Sequence, residues 1–298
     1  MERSCPVCDA GVDDAEAFLE DTTDETKLSD FSFASRKVPE YMSHRMVRCR
    51  RCDVAYVCDP PPPQDLANAY HVASYDSSEE ADDAAATYIR AIHSVLALLP
   101  RHDSALEIGT GTGAFLGLLA DSGNFRAVVG VEPSSAAIAA APEHRRAWIR
   151  QGVFDERAFP PQSFDLVCCF MTMEHVTDPK GIATSVRGLL RDGGAFVTVT
   201  HDYRSVINRI LGKRSPIIDI EHMQLFSRRS IARLFAETGY RKIQANPFAN
   251  RYALSYWLRL FPLPARIKAA VSGALRAVGA DHAKLGLNVG NVVAWGFK

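Results

Sequence analysis

Three glycines at alternate positions close an apolar run, Ala105-Leu106-Glu107-Ile108-Gly109-Thr110-Gly111-Thr112-Gly113, and a helical pattern (Phe115, Leu116, Leu118, Leu119) follows at once. Chains do this where backbone must approach a ligand closely at the mouth of a parallel sheet, because glycine lacks the Cβ that would hold the ligand away. The helix that starts there offers unpaired N–H groups.

Apolar strand-like runs alternate with helical patterns on both sides of this loop. Strands are expected at 104–108, 127–131, 148–153, 164–170, 195–200, 240–245 and 291–297, and helices at 84–99, 135–141, 182–190 and 230–238. This alternation predicts an α/β fold with a Rossmann-like, mostly parallel sheet and helices on both faces. Pro60-Pro61-Pro62-Pro63 is a stiff extended break. It divides the chain into a small module at 1–63 and a larger domain at 64–298.

The formal net charge of −1 conceals an asymmetry, with 19 acidic and 9 basic residues in 1–100 against 5 acidic and 16 basic in 200–298. The basic third suits an anionic partner: a phosphorylated substrate, a membrane surface or nucleic acid. Against nucleic acid, the cysteine-bearing module is acidic and its arginines are not interleaved with aromatics. No apolar run approaches the ~20 residues of a membrane span, and the N-terminus lacks the apolar core of a secretory signal. A cytoplasmic setting is expected, where the 7 cysteines stay reduced.

The glycine loop alone is ambiguous. Gly109-x-Gly111-x-x-Ala114 also satisfies a dinucleotide fingerprint, and Glu132, ending the second strand, would suit a ribose diol in either case. Further features resolve it: Glu107 inside the strand, 161–167 leading into the fourth strand, Met173-Glu174-His175-Val176-Thr177-Asp178-Pro179 leading out, and Leu189-Leu190-Arg191-Asp192-Gly193-Gly194 before the fifth. In this order, residues 85–245 resemble class I S-adenosylmethionine-dependent methyltransferases. The resemblance implies a seven-stranded sheet and roles at matching positions. Glu107, Gly109, Gly111 and Gly113 would border the methionine moiety, and Glu132 would bind the ribose. Val153 and Phe154 would flank the adenine, with valine where many relatives carry aspartate. Phe170 and Met171 would lie under the sulfonium.

Cys5-Pro6-Val7-Cys8 and Cys49-Arg50-Arg51-Cys52 are two C-x₂-C knuckles separated by 40 residues. Each knuckle brings two thiolates to one ion, and together they complete a closed Cys₄ set for a structural Zn²⁺ in a zinc-ribbon-like module. Cys168 and Cys169 are expected in the core. A zinc module ahead of such a core is similar to several sugar-modifying methyltransferases, including sugar C-methyltransferases.

Three places offer a general base at the carboxyl edge of the sheet. His175 follows the fourth strand and His201 the fifth. Glu221-His222 resembles the glutamate–histidine motif of the sugar C-methyltransferases, which place a tyrosine where this chain has Asp219. Met173-Glu174-His175 is also similar to the metal motif of ubiquinone-pathway O-methyltransferases. That motif has a glutamate where Met171 stands here, so no catalytic metal is expected. The stretch 246–290, long for a sheet-edge connection, reads as a helical cap, a lid or a peripheral membrane contact. The expectation is a methyltransferase acting on an oxygen of a sugar or glycan intermediate, phosphate-linked to a nucleotide or lipid. Methylation of a natural-product hydroxyl or carbon, and RNA methylation, are the alternatives.

Overall fold

Side chains along the central strands alternate between two cores, which is why these segments form a sheet covered on both faces. In the computed structural model, which describes residues 3–34, 40–76, 78–123, 125–261 and 263–298, Ala105, Leu166, Cys168, Val197 and Val293 face one core. Their neighbours Leu106, Val167, Cys169, Phe196 and Val292 face the other. Phe196 is fully buried, and a side chain of that size contributes about 2–3 kcal/mol by leaving water.

A small antiparallel sheet comes first, from β1 (Ala15–Leu19), β2 (Met46–Cys49) and β3 (Ala55–Val57). After the prolines come α1 (Pro63–Val72), α2 (Ser78–Ala91) and α3 (His93–Leu98). The sequence pattern expects one helix over 84–99; the structure starts it earlier and breaks it at Ile92, whose backbone (φ −100°, ψ 6°) leaves the helix. The large domain continues with β4 (Ser104–Ile108), α4 (Ala114–Asp121), β5 (Ala127–Glu132), α5 (Ser135–Ala140), α6 (Glu143–Arg146) and β6 (Ile149–Gln151). Then follow β7 (Phe164–Phe170), α7 (Pro179–Leu189), β8 (Leu190–His201), α8 (Val206–Leu211), β9 (Gln224–Leu225) and α9 (Arg228–Glu237). Last are β10 (Arg241–Ala253), α10 (Leu254–Leu260), α11 (Ala265–Ala277) and β11 (Lys284–Phe297).

The seven-stranded sheet has the order β10-β11-β8-β7-β4-β5-β6. Pairings from β8 to β6 are parallel, and β11 runs antiparallel to both β8 and β10. The chain reverses its direction of sheet building at β4, which pairs with β5 on one side and β7 on the other. That switch point opens a crevice at the carboxyl ends of β4 and β7. Buried Asp165 at the start of β7 accepts the Asp103 N–H at 2.7 Å and the Arg191 guanidinium at 2.9 Å, tying β4, β7 and β8 at their opposite ends.

The cysteine module is joined to the large domain through backbone. β3 pairs with β9, giving the small sheet the order β1-β2-β3-β9. Cys5, Val7 and Tyr56 share a core with Phe226 and Ile231. The helical part of 246–290 is confined to α10 and α11, because β10 and β11 run on as a two-stranded ribbon pairing Asn250 with Leu287 and Ala253 with Lys284. No helix among the described residues is long and apolar enough to cross a membrane.

Candidate functional site

A cavity of about 400 Å³ lies over the switch point, within the ~300–1,000 Å³ of small-molecule sites. Its floor is the β4–α4 loop. Gly109, Gly111 and Gly113 take φ of +74°, +55° and +69°, a region costly to residues with a Cβ. A Cβ at Gly109 would run into the Thr172 side chain, whereas one at Gly111 would meet nothing and project into open space. Gly109 and Gly111 line the cavity; Gly113 does not. Gly113 is instead the left-handed N-cap of α4, so its part is to turn the chain rather than to border a ligand.

The carboxylates expected at the cofactor both line the cavity. Glu107 is buried and accepts the Thr110 hydroxyl at 2.5 Å. Glu132 takes the Gly111 N–H at 2.7 Å on one oxygen and the Ser134 N–H at 2.8 Å on the other. These bonds aim its carboxylate and hold the glycine loop closed. Burial raises the Glu132 pKa, and the two N–H groups oppose the rise. Val153 and Phe154 form a wall, with Val153 59% exposed to the opening. Phe170 and Met171 also line the cavity, and Met171 has a φ of +51°.

α1 and α2 cover this floor, contributing Leu66, Tyr70, Ala81, Ala85 and Tyr88 to the cavity wall. α1 is tied across the cleft by His71, whose Nδ1 lies 3.1 Å from the Pro133 carbonyl oxygen and whose own carbonyl accepts the Ser135 hydroxyl at 3.0 Å. His175 and Glu221 also line the cavity. The Tyr70 hydroxyl is 2.8 Å from His175 Nδ1 and 3.3 Å from the Glu221 carbonyl oxygen, and a Glu221 carboxylate oxygen is 3.7 Å from the same nitrogen. Burial and the nearby Glu221 and Asp219 carboxylates push the Tyr70 phenol well above its ordinary value, so it stays protonated. With the Tyr70 hydroxyl donating to the Glu221 carbonyl, a proton on His175 Nδ1 can be given to the Tyr70 oxygen, the tautomer that leaves the basic lone pair on Nε2.

The other two candidate bases stand behind this wall. Neither His222 nor His201 lines the cavity. His222 packs against His175 with ring centroids 4.8 Å apart, and its Nδ1 is 2.9 Å from the Ile217 carbonyl oxygen. His201 lies 5.8 Å beyond His222, with Nδ1 2.9 Å from the Asn291 side-chain oxygen. Burial lowers the His201 pKa to about 4, so it is neutral at physiological pH. The backbone N–H of His201 donates to buried Glu174 at 2.7 Å. The cluster adds a donor set the sequence spacing did not reveal. His175, Glu221 and His222 bring donor atoms within 4.8 Å of one another and could hold a divalent ion. Tyr70 was equally hidden, since only the packing of α1 over the sheet edge brings it 105 positions along the chain to His175.

In the small module, the donor atoms of Cys5, Cys8, Cys49 and Cys52 also lie within 4.8 Å of one another. Cys5 Sγ is 3.5 Å from Cys52 Sγ and Cys8 Sγ is 3.6 Å from Cys49 Sγ. Those separations are far beyond a disulfide bond and close to the ~3.8 Å edge of a tetrahedron with 2.3 Å metal–sulfur bonds. A hydrogen bond from Cys52 lowers the Cys5 pKa to about 6, while burial raises Cys8 to about 11. The hydrogen bond with Cys5, with burial, raises the Cys52 thiol as well, so Cys5, Cys8 and Cys52 do not ionise together without a cation among them. Cys168 and Cys169 are fully buried and their pKa values are pushed up by burial.

A mostly parallel sheet of this order, with a glycine-floored cavity at its switch point and an acidic residue ending the second parallel strand, defines the class I methyltransferase architecture. The chain belongs to the methyltransferase-domain family, whose model matches residues 75–245, more than half of its length. It is 27% identical over 115 residues to a ubiquinone biosynthesis O-methyltransferase of Vibrio atlanticus (strain LGP32), a match covering 36% of this chain and 48% of that protein. The chain thus spans about half the length of the curated relative it matches. Among solved structures it is similar to a SAM-dependent methyltransferase of Thermotoga maritima (21% identity, 74% of this chain, 91% of that chain, TM-score 0.47). It is also similar to phosphoethanolamine N-methyltransferase 2 of Haemonchus contortus (17%, 82%, 61%, TM-score 0.44).

Proposed function

We propose that the protein transfers a methyl group from S-adenosylmethionine to a hydroxyl oxygen of a sugar or glycan intermediate carried on a nucleotide or lipid phosphate. The observation that carries the reaction type is the Tyr70–His175–Glu221 cluster lining the same cavity as the glycine floor. S-adenosylmethionine supplies an electrophilic methyl carbon on a sulfonium, whose C–S bond breaks with its electron pair left on sulfur. Gly109, Gly111 and Glu107 would border its amino-acid end and Glu132 its ribose, while Val153 and Phe154 offer an apolar slot for the base. His175 takes the proton of the acceptor hydroxyl as the new O–C bond forms, and the Glu221 carboxylate steadies the resulting imidazolium. Tyr70 fixes the imidazole orientation. α1 and α2 keep bulk water from the reacting atoms.

The phosphate-linked acceptor is supported by the excess of 16 basic over 5 acidic residues in 200–298. A second reading, transfer to a natural-product hydroxyl, draws support from the likeness to the ubiquinone O-methyltransferase and from the aromatic wall of Phe33, Tyr75 and Tyr88. Methyl-labelled S-adenosylmethionine, supplied with enzyme to an extract of cells lacking the gene, separates the two. Label in nucleotide-sugar or lipid-linked sugar fractions supports the first reading. Label in a sugar-free small-molecule fraction supports the second, and label in RNA contradicts both.

The Cys₄ cluster we assign to one structural Zn²⁺. With four thiolates no position is left for a substrate, so the ion's part is to hold the turns at Cys5–Cys8 and Cys49–Cys52 together.

A further inference from the structure

We infer that α11 docks the protein onto a bilayer surface bearing anionic phospholipid headgroups. The helix buries none of its 13 residues. Ile267, Val271 and Val278 fall on one side at helical spacing and are 48%, 39% and 76% exposed. The half-buried positions are Lys268, Ser272 and Leu275, so α11 packs against α10 through a mostly polar side and turns its apolar stripe outward. That is the reverse of a helix that caps a core. Phe261 and Leu263, just before it in the chain, are 41% and 40% exposed.

Charge selects the occupant. Between Phe261 and Ala280 there is no acidic residue, and Arg266 and Arg276 are exposed cations, whereas Lys268 turns to α10 and donates to the Arg259 carbonyl at 2.6 Å. Among the described residues, Arg266 and Arg276 have no ion pair. An anionic bilayer takes both parts of this surface, headgroups for the cations and acyl chains for the stripe. A second copy of the chain would bury the stripe but bring cations to a patch with no acid to receive them. A polyanion such as RNA would leave the stripe in water.

The platform is fixed to the rest of the molecule. Trp257 and Tyr256 of α10 are buried, and the Trp257 indole N–H donates to the Leu285 carbonyl at 2.8 Å. Arg259 bonds Glu80 at 3.1 Å and Lys284 bonds Asp83, both acids lying on α2. The opposite face of α2 lines the cavity with Ala81, Ala85 and Tyr88. A bilayer seated on α11 would therefore lie one helix away from the acceptor cavity. The inference stands whether the acceptor is nucleotide- or lipid-borne.

Co-sedimentation of the full chain with phosphatidylcholine vesicles, with and without roughly a third of phosphatidylglycerol, tests it. Binding is expected only with the anionic lipid and should weaken as salt is raised. Partitioning should fall about tenfold in Arg266→Glu/Arg276→Glu and be lost in Ile267→Asp/Val271→Asp. Binding of S-adenosylhomocysteine by both variants reports that they are folded. Hydrogen exchange on the unaltered chain should show vesicle-dependent protection at 265–278. Equal binding to neutral vesicles, protection elsewhere, or binding that survives Ile267→Asp/Val271→Asp overturns the inference. So does a dimer that the same substitution dissolves, or retention on RNA without retention on vesicles.

Discussion

Tyr70 and His175 reach the cavity from different layers of the fold, one on the helix that covers it and one on the loop after β7, and meet at 2.8 Å. This contact makes a solvent-edge histidine into an oriented base. Replacing Tyr70 by Phe keeps the ring and its edge-on packing against His175 but removes the hydroxyl. A lost hydrogen bond of about 1–1.5 kcal/mol should lower kcat about tenfold and leave the affinity for S-adenosylhomocysteine unchanged. Steady-state kinetics and calorimetry on the same variant check both halves.

Behind that contact, Glu174 and His201 set a pH dependence of stability. Burial raises the Glu174 pKa from 4.5 to about 8 and lowers His201 from 6.5 to about 4. The buried Glu174 keeps a proton that the unfolded chain releases, so its contribution is fully present below pH 4.5 and is lost as pH rises through 8. His201 acts in the opposite sense, its contribution being lost as pH falls from 6.5 through 4. Glu174→Gln should therefore melt higher than the unaltered chain at pH 8.5 and close to it at pH 5. Melting curves across this range give the comparison, and parallel curves would contradict the assignment.

Gly111 separates conformational strain from steric exclusion, because a Cβ there meets no protein atom. Gly111→Val places a branched side chain at φ +55°, at a cost of about 1–2 kcal/mol, and fills the space the cofactor would use. A modest fall in Tm and at least about a tenfold loss of S-adenosylhomocysteine affinity are expected, the first read by thermal melting and the second by calorimetry.

The thiol cluster predicts one zinc per chain by elemental analysis of protein purified without chelators. Removing it should lower the Tm sharply, and Cys49→Ser should do the same, since closed sites of this kind contribute directly to folding. Metal-free protein with an unchanged melting curve would contradict the zinc assignment.

Local pattern accounts for the part of the fold that was legible in advance. β4 and β7 have the expected bounds because near-continuous apolar runs, buried on both faces, end at turns, the Gly109 loop and Met171. The break of the expected helix at Ile92 was not legible, since the apolar face of Tyr88, Ile92 and Val95 continues through it and only backbone angles mark the step. The ribbon of β10 and β11 was hidden for another reason. Asn246, Asn250 and Asn288 weaken the strand signal, and long-range pairing overrides it. In the site, glycine spacing and strand-end carboxylates are local features, so Glu107, Gly109, Gly111 and Glu132 could be read directly. Which of three histidines faces the cavity depends on how 217–222 packs against the end of β7. No spacing rule distinguishes His175 from the buried His222 and His201.

His175→Gln bears most directly on the account, because it removes the base without emptying its place in the wall. Methyl transfer should be measured with labelled S-adenosylmethionine and the acceptor fraction that accumulates label with the unaltered enzyme. The account predicts unchanged S-adenosylhomocysteine binding and a fall in kcat of about 10²–10⁴. Turnover within about threefold of the unaltered enzyme would contradict it, because His175 would then be a wall residue and the proton would leave by another route.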